Sequence, residues 1–343
     1  MNPRWKQRPP GSNWGDFGPD DQLGRLNLLT PEKVKQGIAE VREGLVFNLS
    51  LPLDYPGGNK LNPRRHAPRL QPSIRNGKAY YVYRMAQDVE GSTDVACDDA
   101  VLLYLQYSTQ WDSLAHIGSL FDADGDGTPE PVFYNGFRGG VDVVQPSPEQ
   151  PSANGAKKLG MENMAAQGVQ GRAVMIDLHH HYGESPRKAV GYDDLMRVME
   201  HDRIAVELGD MVCFHTGFAD LVLRMNREPD IDVLNASCAV LDGTDQKLLQ
   251  WIADSGLAVL IADNYAVEER RWSLSPGDCG HGPLLPIHEL CLFKLGIHLG
   301  ELWHLTPLAH WLRAHGRSRF LLTAPPLRLP GAVGSPVNPI ATV

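Results

Sequence analysis

Val101-Leu102-Leu103-Tyr104-Leu105-Gln106-Tyr107-Ser108-Thr109-Gln110-Trp111-Asp112 is the stretch whose reading decides the fold. In an extended chain, Val101, Leu103, Leu105, Tyr107 and Thr109 face one way, and Gln106, Ser108, Gln110 and Asp112 the other. The first face is core and the second turns polar midway. Leu102 and Tyr104 share that second face, which predicts that it is covered too and that its polar groups line a cleft. The alternative is an antiparallel strand with one solvated face.

Outward from this stretch, strands and helices are mixed. Thr30 is placed to cap a helix with Pro31 at its first position and Glu32 in its first turn. Val34, Ile38 and Val41 predict its buried stripe and Gly44 its end. Leu45–Leu53, Ala79–Met85, Arg172–Leu178, Asp210–Phe214 and Leu257–Ala262 read as strands, and Tyr192–His201 and Gln246–Asp254 as helices. A polar loop from Pro146 to Gln170 holds a short helix near Met161–Ala166. His288, Cys291, Leu292 and Leu295 fall on one helical face closed by Gly296, and Ile297–Leu302 reads as a strand carrying Glu301. The order favours an α/β (mixed α+β) fold, a mixed sheet with flanking helices, over a doubly wound one. Residues 1–28 read as an N-terminal arm, 29–323 as one domain, and 324–343 as a Pro/Gly-rich tail wrapping the surface.

Composition excludes several function classes. The 343 residues carry a net charge of -9, and 42% are hydrophobic. The basic clusters Pro63–His66 and Glu268–Arg271 are short and flanked by acids or prolines, so no nucleic-acid partner is expected. Five scattered cysteines, Cys97, Cys213, Cys238, Cys279 and Cys291, make neither a disulfide framework nor a zinc ribbon. That pattern fits a reducing compartment, and a cytoplasmic location is expected. Met1–Asn13 is basic without an apolar stretch, and Gly256–Ala262 is too short to span a bilayer, so neither a secretory signal nor a membrane association is expected.

G-x-G-x-x-G, Walker A and G-x-S-x-G patterns are absent. His288-Glu289 starts like H-E-x-x-H, but the second histidine position is Leu292. Asp122–Gly127 matches the first half of a calcium loop, with Phe133 where the closing glutamate belongs, and reads more simply as an acidic turn. If the strand from Arg172 continues to His181, His179 and His181 share a face. Cys213 reads as core.

The segment Gln106–His116 resembles the signature of the cyclase family, which includes kynurenine formamidase-like and isatin hydrolase-like metal-dependent hydrolases. The usual form is H-x-G-T-H-x-D-x-x-x-H. Thr109, Asp112 and His116 match it, and Gln106 and Gln110 stand at the two leading histidines. Trp14-Gly15-Asp16, Gly24–Pro31, Tyr134-Asn135-Gly136, His215–Phe218, His288, Gly300-Glu301 and Gly334–Pro339 are similar to the longer members, so the resemblance covers nearly the whole chain.

The resemblance implies a swivelling β/β/α fold, a homodimer or homotetramer, and hydrolysis of a carbonyl–nitrogen or similar bond with a divalent ion (Mn, Zn or Mg). Carried over by position, Asp112, His288 and Glu301 are metal-site candidates beside Gln106 and Gln110, and His116 carries the proton, with Asp112 and Glu301 as its catalytic neighbours. A helical turn beginning at Asp112 would put Asp112 and His116 on one side. Amide oxygens in place of two imidazoles shift preference from zinc toward manganese, magnesium or calcium. Trp111, Phe133 and Tyr134 are candidates for an aromatic wall around a small amide, lactam or lactone. A catalytically silent binding or assembly protein, and a metal-independent enzyme using His116, are the alternatives that the two glutamines leave open.

Overall fold

The structure, a computed structural model, describes residues 4–147, 154–269 and 282–343. Cys279, Arg270 and Arg271 lie outside the described residues. Continuous apolar runs make the centre of the molecule, because a strand covered on both faces needs apolar side chains at every position. Nine strands form one sheet: β1 (Val46–Asn48), β2 (Gln110–Asp112), β3 (Gln170–Asp177), β4 (Met211–His215), β5 (Val259–Ala262), β6 (His298–Glu301), β7 (Arg319–Thr323), β8 (Gly334–Pro336) and β9 (Ile340–Thr342). Their order is β1-β9-β7-β3-β4-β5-β6-β2-β8. β3 to β6 are parallel to one another, and the flanking pairs are antiparallel. This is the mixed sheet expected.

Alternation divides the interior in two. Ala173, Met175, Met211, Cys213, Val259 and Ile261 enter one core, while Ile176, Val212, Phe214, Leu260 and Ala262 enter the other. The helices α1 (Pro31–Ile38), α2 (Met161–Gln167), α3 (Leu178–Tyr182), α4 (Tyr192–His201), α5 (Phe218–Arg224), α6 (Ile231–Ala236), α7 (Gln246–Asp254), α8 (Pro286–His288) and α9 (Thr306–Ala314) cover it. Leu195 and Val198 of α4 and Leu248 and Ile252 of α7 close the Phe214 side. Met161 and Met164 of α2 and Leu308 and Leu312 of α9 close the Met211 side. α5 and α6 form a third cluster around Phe218, Val222 and Leu234. Among the described residues no helix is long and apolar enough to cross a membrane.

Several expectations are corrected. α1 has its Thr30 cap, with the hydroxyl accepting from Lys33 N, but it ends at Ile38. Its buried face is Lys33 and Gly37, and Ile38 is exposed. The reason is tertiary: Lys33 Nζ lies 3.0 Å from buried Asp210, and a Cβ on Gly37 would sit 2.7 Å from the Gly171 carbonyl carbon. The expected strand from Val101 to Asp112 is two structures. Asp99–Leu102 pairs with Arg69–Pro72 in an exposed ribbon, and only Gln110–Asp112 enters the main sheet. Ala79–Met85 likewise divides between two small hairpins.

Beyond Asp177 the chain is helical, because the Asp177 side chain accepts from His180 N and caps α3, so His179 and His181 do not share a strand face. Asp122–Gly127 closes a hairpin between Ser119–Phe121 and Glu130–Val132, its backbone folded onto the Asp122 carboxylate. The tail does not wrap the surface: it supplies β8 and β9, with Ser335 and Ala341 fully buried.

Candidate active site

Three elements bring the candidate residues together. β2 and β6 pair with Gln110 opposite Glu301, Trp111 opposite Gly300 and Asp112 opposite Leu299. Period-two alternation therefore places Gln110, Asp112 and Glu301 on one face of the sheet and Trp111 on the other. Trp111 is fully buried there, its Nε1 donating to the Ala324 carbonyl and its ring edge-on to Trp303 at 4.9 Å. Gly300 makes room for Trp303, since a Cβ would lie 2.9 Å from Trp303 Nε1. That ring in turn donates to the Gln110 carbonyl and holds β2 in place.

The third element is α8, which continues as the π-helical turn Glu289–Leu295 and ends at left-handed Gly296. Ile287, Cys291, Leu292 and Leu295 anchor it in the core. His288 thereby reaches the sheet. Its Nδ1 lies 2.9 Å from Glu268 Oε1 and its Nε2 3.2 Å from Glu301 Oε1. Glu268 also accepts from the backbone N–H groups of Ile287 and His288, which fixes the start of the helix.

One donor atom each from Asp112, His288 and Glu301 lies within 4.8 Å of the others, and all three residues are buried. Among the described residues Asp112 Oδ2 has no hydrogen-bond partner. Burial and then the Glu301 charge push the Asp112 pKa up to about 8, against the pull of His288. Burial works against charge on His288 as well, but Glu268 and Glu301 outweigh it and raise its pKa. Glu301 is held below the usual carboxylate range, its bond to His288 overcoming the burial.

Gln110 completes this floor. Its amide is best oriented with the nitrogen donating to the carbonyls of Gln106 at 2.6 Å and Ser108 at 3.2 Å, because these bonds are shorter than the 3.3 and 3.4 Å that the opposite orientation would give it to Asp112 and Glu301. The amide oxygen then faces Asp112 Oδ1 and Glu301 Oε2, at the positions 3.3 and 3.4 Å away. Three acceptors converging this closely require a proton or a cation between them.

Nearer the surface are His116 and Gln106. His116 follows a turn closed by its N–H to Ser113 O, not the helical turn expected, and still comes to the Asp112 side: Nε2 is 3.8 Å from Asp112 Oδ1. Its side chain keeps 20% of its surface. Burial, then the positive charges of His288 and Arg65, depress its pKa and keep the ring neutral. Gln106 Nε2 lies 3.5 Å from His116 Nδ1 and occupies the space where a Cβ on Gly334 would be. The Gln106 carbonyl accepts from Arg65 Nη1.

The structure thus gathers Gln106, Gln110, Asp112, His116, His288 and Glu301. It does not gather the proposed aromatic wall. Trp111 faces the opposite core, the buried Tyr134 hydroxyl is tied to Asp21, and Phe133 packs beside Gly118 and Gly139. Alternation shows which residues share a face but not which face is the cleft, so the sequence alone does not place Trp111 in the opposite core. Glu268 and Arg65 were missed. Both sit in charge clusters that read as solvated, and no local spacing ties Glu268 to a histidine twenty residues on.

A family model described as "Putative cyclase" matches residues 47–269. A crystal structure of a novel cyclase is 28% identical, with a TM-score of 0.75 over 98% of this chain and 100% of that one. Isatin hydrolase A from Labrenzia aggregata bound to benzyl benzoate is 14% identical, with a TM-score of 0.52 over 90% of this chain and 97% of that one. Isatin hydrolase A from Ralstonia solanacearum is 16% identical, with a TM-score of 0.51 over 91% and 97%. The last two likenesses are of fold. No curated protein matches the chain significantly. With well over half of its length matched by the family model and nearly all of it superposable on a cyclase, the chain belongs to the cyclase family.

Proposed function

We propose that the chain is a hydrolase that opens a carbonyl–nitrogen or lactone bond in a small, aromatic or cyclic substrate, and that it works with a divalent ion. The observation that carries this reading is the buried Asp112–His288–Glu301 cluster, in which Asp112 Oδ2 finds no partner among the described residues and the Gln110 oxygen faces two carboxylates. These residues fit a cation: Asp112, His288 and Glu301 would hold it, with Gln110 beside them. The oxygen-rich donor set suits manganese or magnesium better than zinc. An ion held there would acidify water and polarise a carbonyl.

The chain's own residues supply the rest. Glu268 orients the His288 ring by taking Nδ1–H, which turns Nε2 to the site. His116, neutral and partly exposed at the mouth, is placed to take a proton at Nε2 and return it to the leaving nitrogen or oxygen. Gln106 sits at Nδ1 of the same ring and steadies it. Acting on a small molecule, as a cytoplasmic homodimer or homotetramer without nucleic-acid or membrane partners, completes the proposal. Exposed Leu70, Ile74, Val101 and Leu102 on the hairpin segment support self-association.

Elemental analysis of protein purified without chelator, with a turnover screen on formyl-anilides, cyclic amides and lactones, tests this reading. Stoichiometric metal with turnover supports it. Turnover without metal points to His116 acting with Asp112 or Glu301, and the absence of both metal and turnover points to a silent binding protein.

A further inference from the structure

We infer that His181, His201 and Asp202 form a second cation site, separate from the buried cluster and suited to a zinc-class transition ion. His181 stands in α3, His201 is the last residue of α4, and Asp202 is the cap that follows it. One donor atom from each lies within 4.8 Å of the others. Asp202 Oδ2 is 2.8 Å from His181 Nε2, and Asp202 Oδ1 is 2.8 Å from His201 Nδ1. The two rings stand perpendicular with centroids 5.1 Å apart. Two imidazole nitrogens aimed at one carboxylate also aim at one small volume, so an ion that displaces their protons meets three donors with little rearrangement.

The donor set separates this site from the first. Two imidazoles and one carboxylate form the set that zinc, cobalt and nickel prefer, whereas magnesium and calcium prefer oxygen. His181 and Asp202 keep only 18% and 23% of their side-chain surface, so two of the three ligands are already placed. His201 and Asp202 also line a cavity of about 390 Å³ shared with His180 and Arg203, which leaves space for water or a small anion as the remaining ligand. Such an ion would clip α3 to the end of α4, joining positions 21 residues apart.

Titration of the chelator-stripped full chain with Co²⁺, read by its visible absorption and by bound ions per chain, tests the inference. The titration is run in the wild type and in an Asp112→Asn, Glu301→Gln background that silences the buried cluster. The expected result in either background is that His201→Gln weakens one Co²⁺ at least tenfold and His181→Gln removes it, while Mg²⁺ does not compete. His201→Gln alters an exposed side chain and reports even if His181→Gln unfolds the protein. Uptake that both substitutions leave unchanged, or no Co²⁺ uptake by the silenced protein together with wild-type uptake insensitive to His201→Gln, overturns the inference.

Discussion

Replacing Asp112 by Asn keeps the shape of a side chain that is fully buried and removes its charge. In metal-free protein, burial and Glu301 push the Asp112 pKa from 3.8 up to about 8. An acid whose folded pKa exceeds its unfolded value takes up a proton on folding between the two. Stability is therefore undiminished below about pH 4 and falls as pH rises toward 8. At about 1.4 kcal/mol per pH unit, the penalty at pH 7 reaches about 4 kcal/mol. That is an upper bound, since a relaxed interior screens the charge.

Chelator-treated Asp112→Asn should thus be the more stable protein at pH 7, by about 1 to 4 kcal/mol, and match the wild type near pH 4. Urea midpoints from pH 4 to 8 measure the difference. Adding Mn²⁺ at about a hundred times its Kd should stabilise the wild type by about 2.7 kcal/mol and leave the variant unmoved. A variant that is less stable in chelator at pH 7, or that gains equally from Mn²⁺, refutes the reasoning.

His116→Ala should lower turnover of any substrate found in the screen at least about a hundredfold; a loss under threefold removes His116 from the mechanism. Glu268→Gln leaves the His288 ring without its carboxylate partner and should weaken Mn²⁺ binding by about 10- to 100-fold in a calorimetric titration, whereas unchanged affinity would make Glu268 a helix anchor only. Asp177 is buried beside His215 and Arg313. Burial resists its ionisation, but His215 and Arg313 prevail and hold its pKa near 2. Its contribution is present above the unfolded pKa of 3.8 and is lost as pH falls through about 2. Asp177→Asn should then be less stable by about 2 kcal/mol at neutral pH, the gap closing between pH 4 and 2; a gap constant with pH contradicts this.

Local signals were legible where the cause is local. Thr30-Pro31-Glu32 announces a helix start, and Gly296 closes the helix that carries His288. The Asp112–His116 spacing gives a shared side, though through a turn and not a helix. The face that α1 buries was not legible, because Lys33 meets Asp210 only after folding. Pro336 made the tail read as loop, yet β8 is an edge strand, where a missing N–H is tolerated. The Glu268–His288 bond leaves no sequence signal, since its partners stand twenty residues apart with no periodicity that pairs them. A carboxylate that holds a histidine so distant in the chain looks, in sequence, like any solvated acid.

Anomalous diffraction at the manganese edge, from crystals grown with Mn²⁺, tests the central claim most directly. The account predicts one peak bonded to Asp112, His288 Nε2 and Glu301, with the Gln110 amide oxygen turned toward it and the His288–Glu301 hydrogen bond replaced. Crystals that keep that bond at its present 3.2 Å and show no manganese between these residues would contradict it.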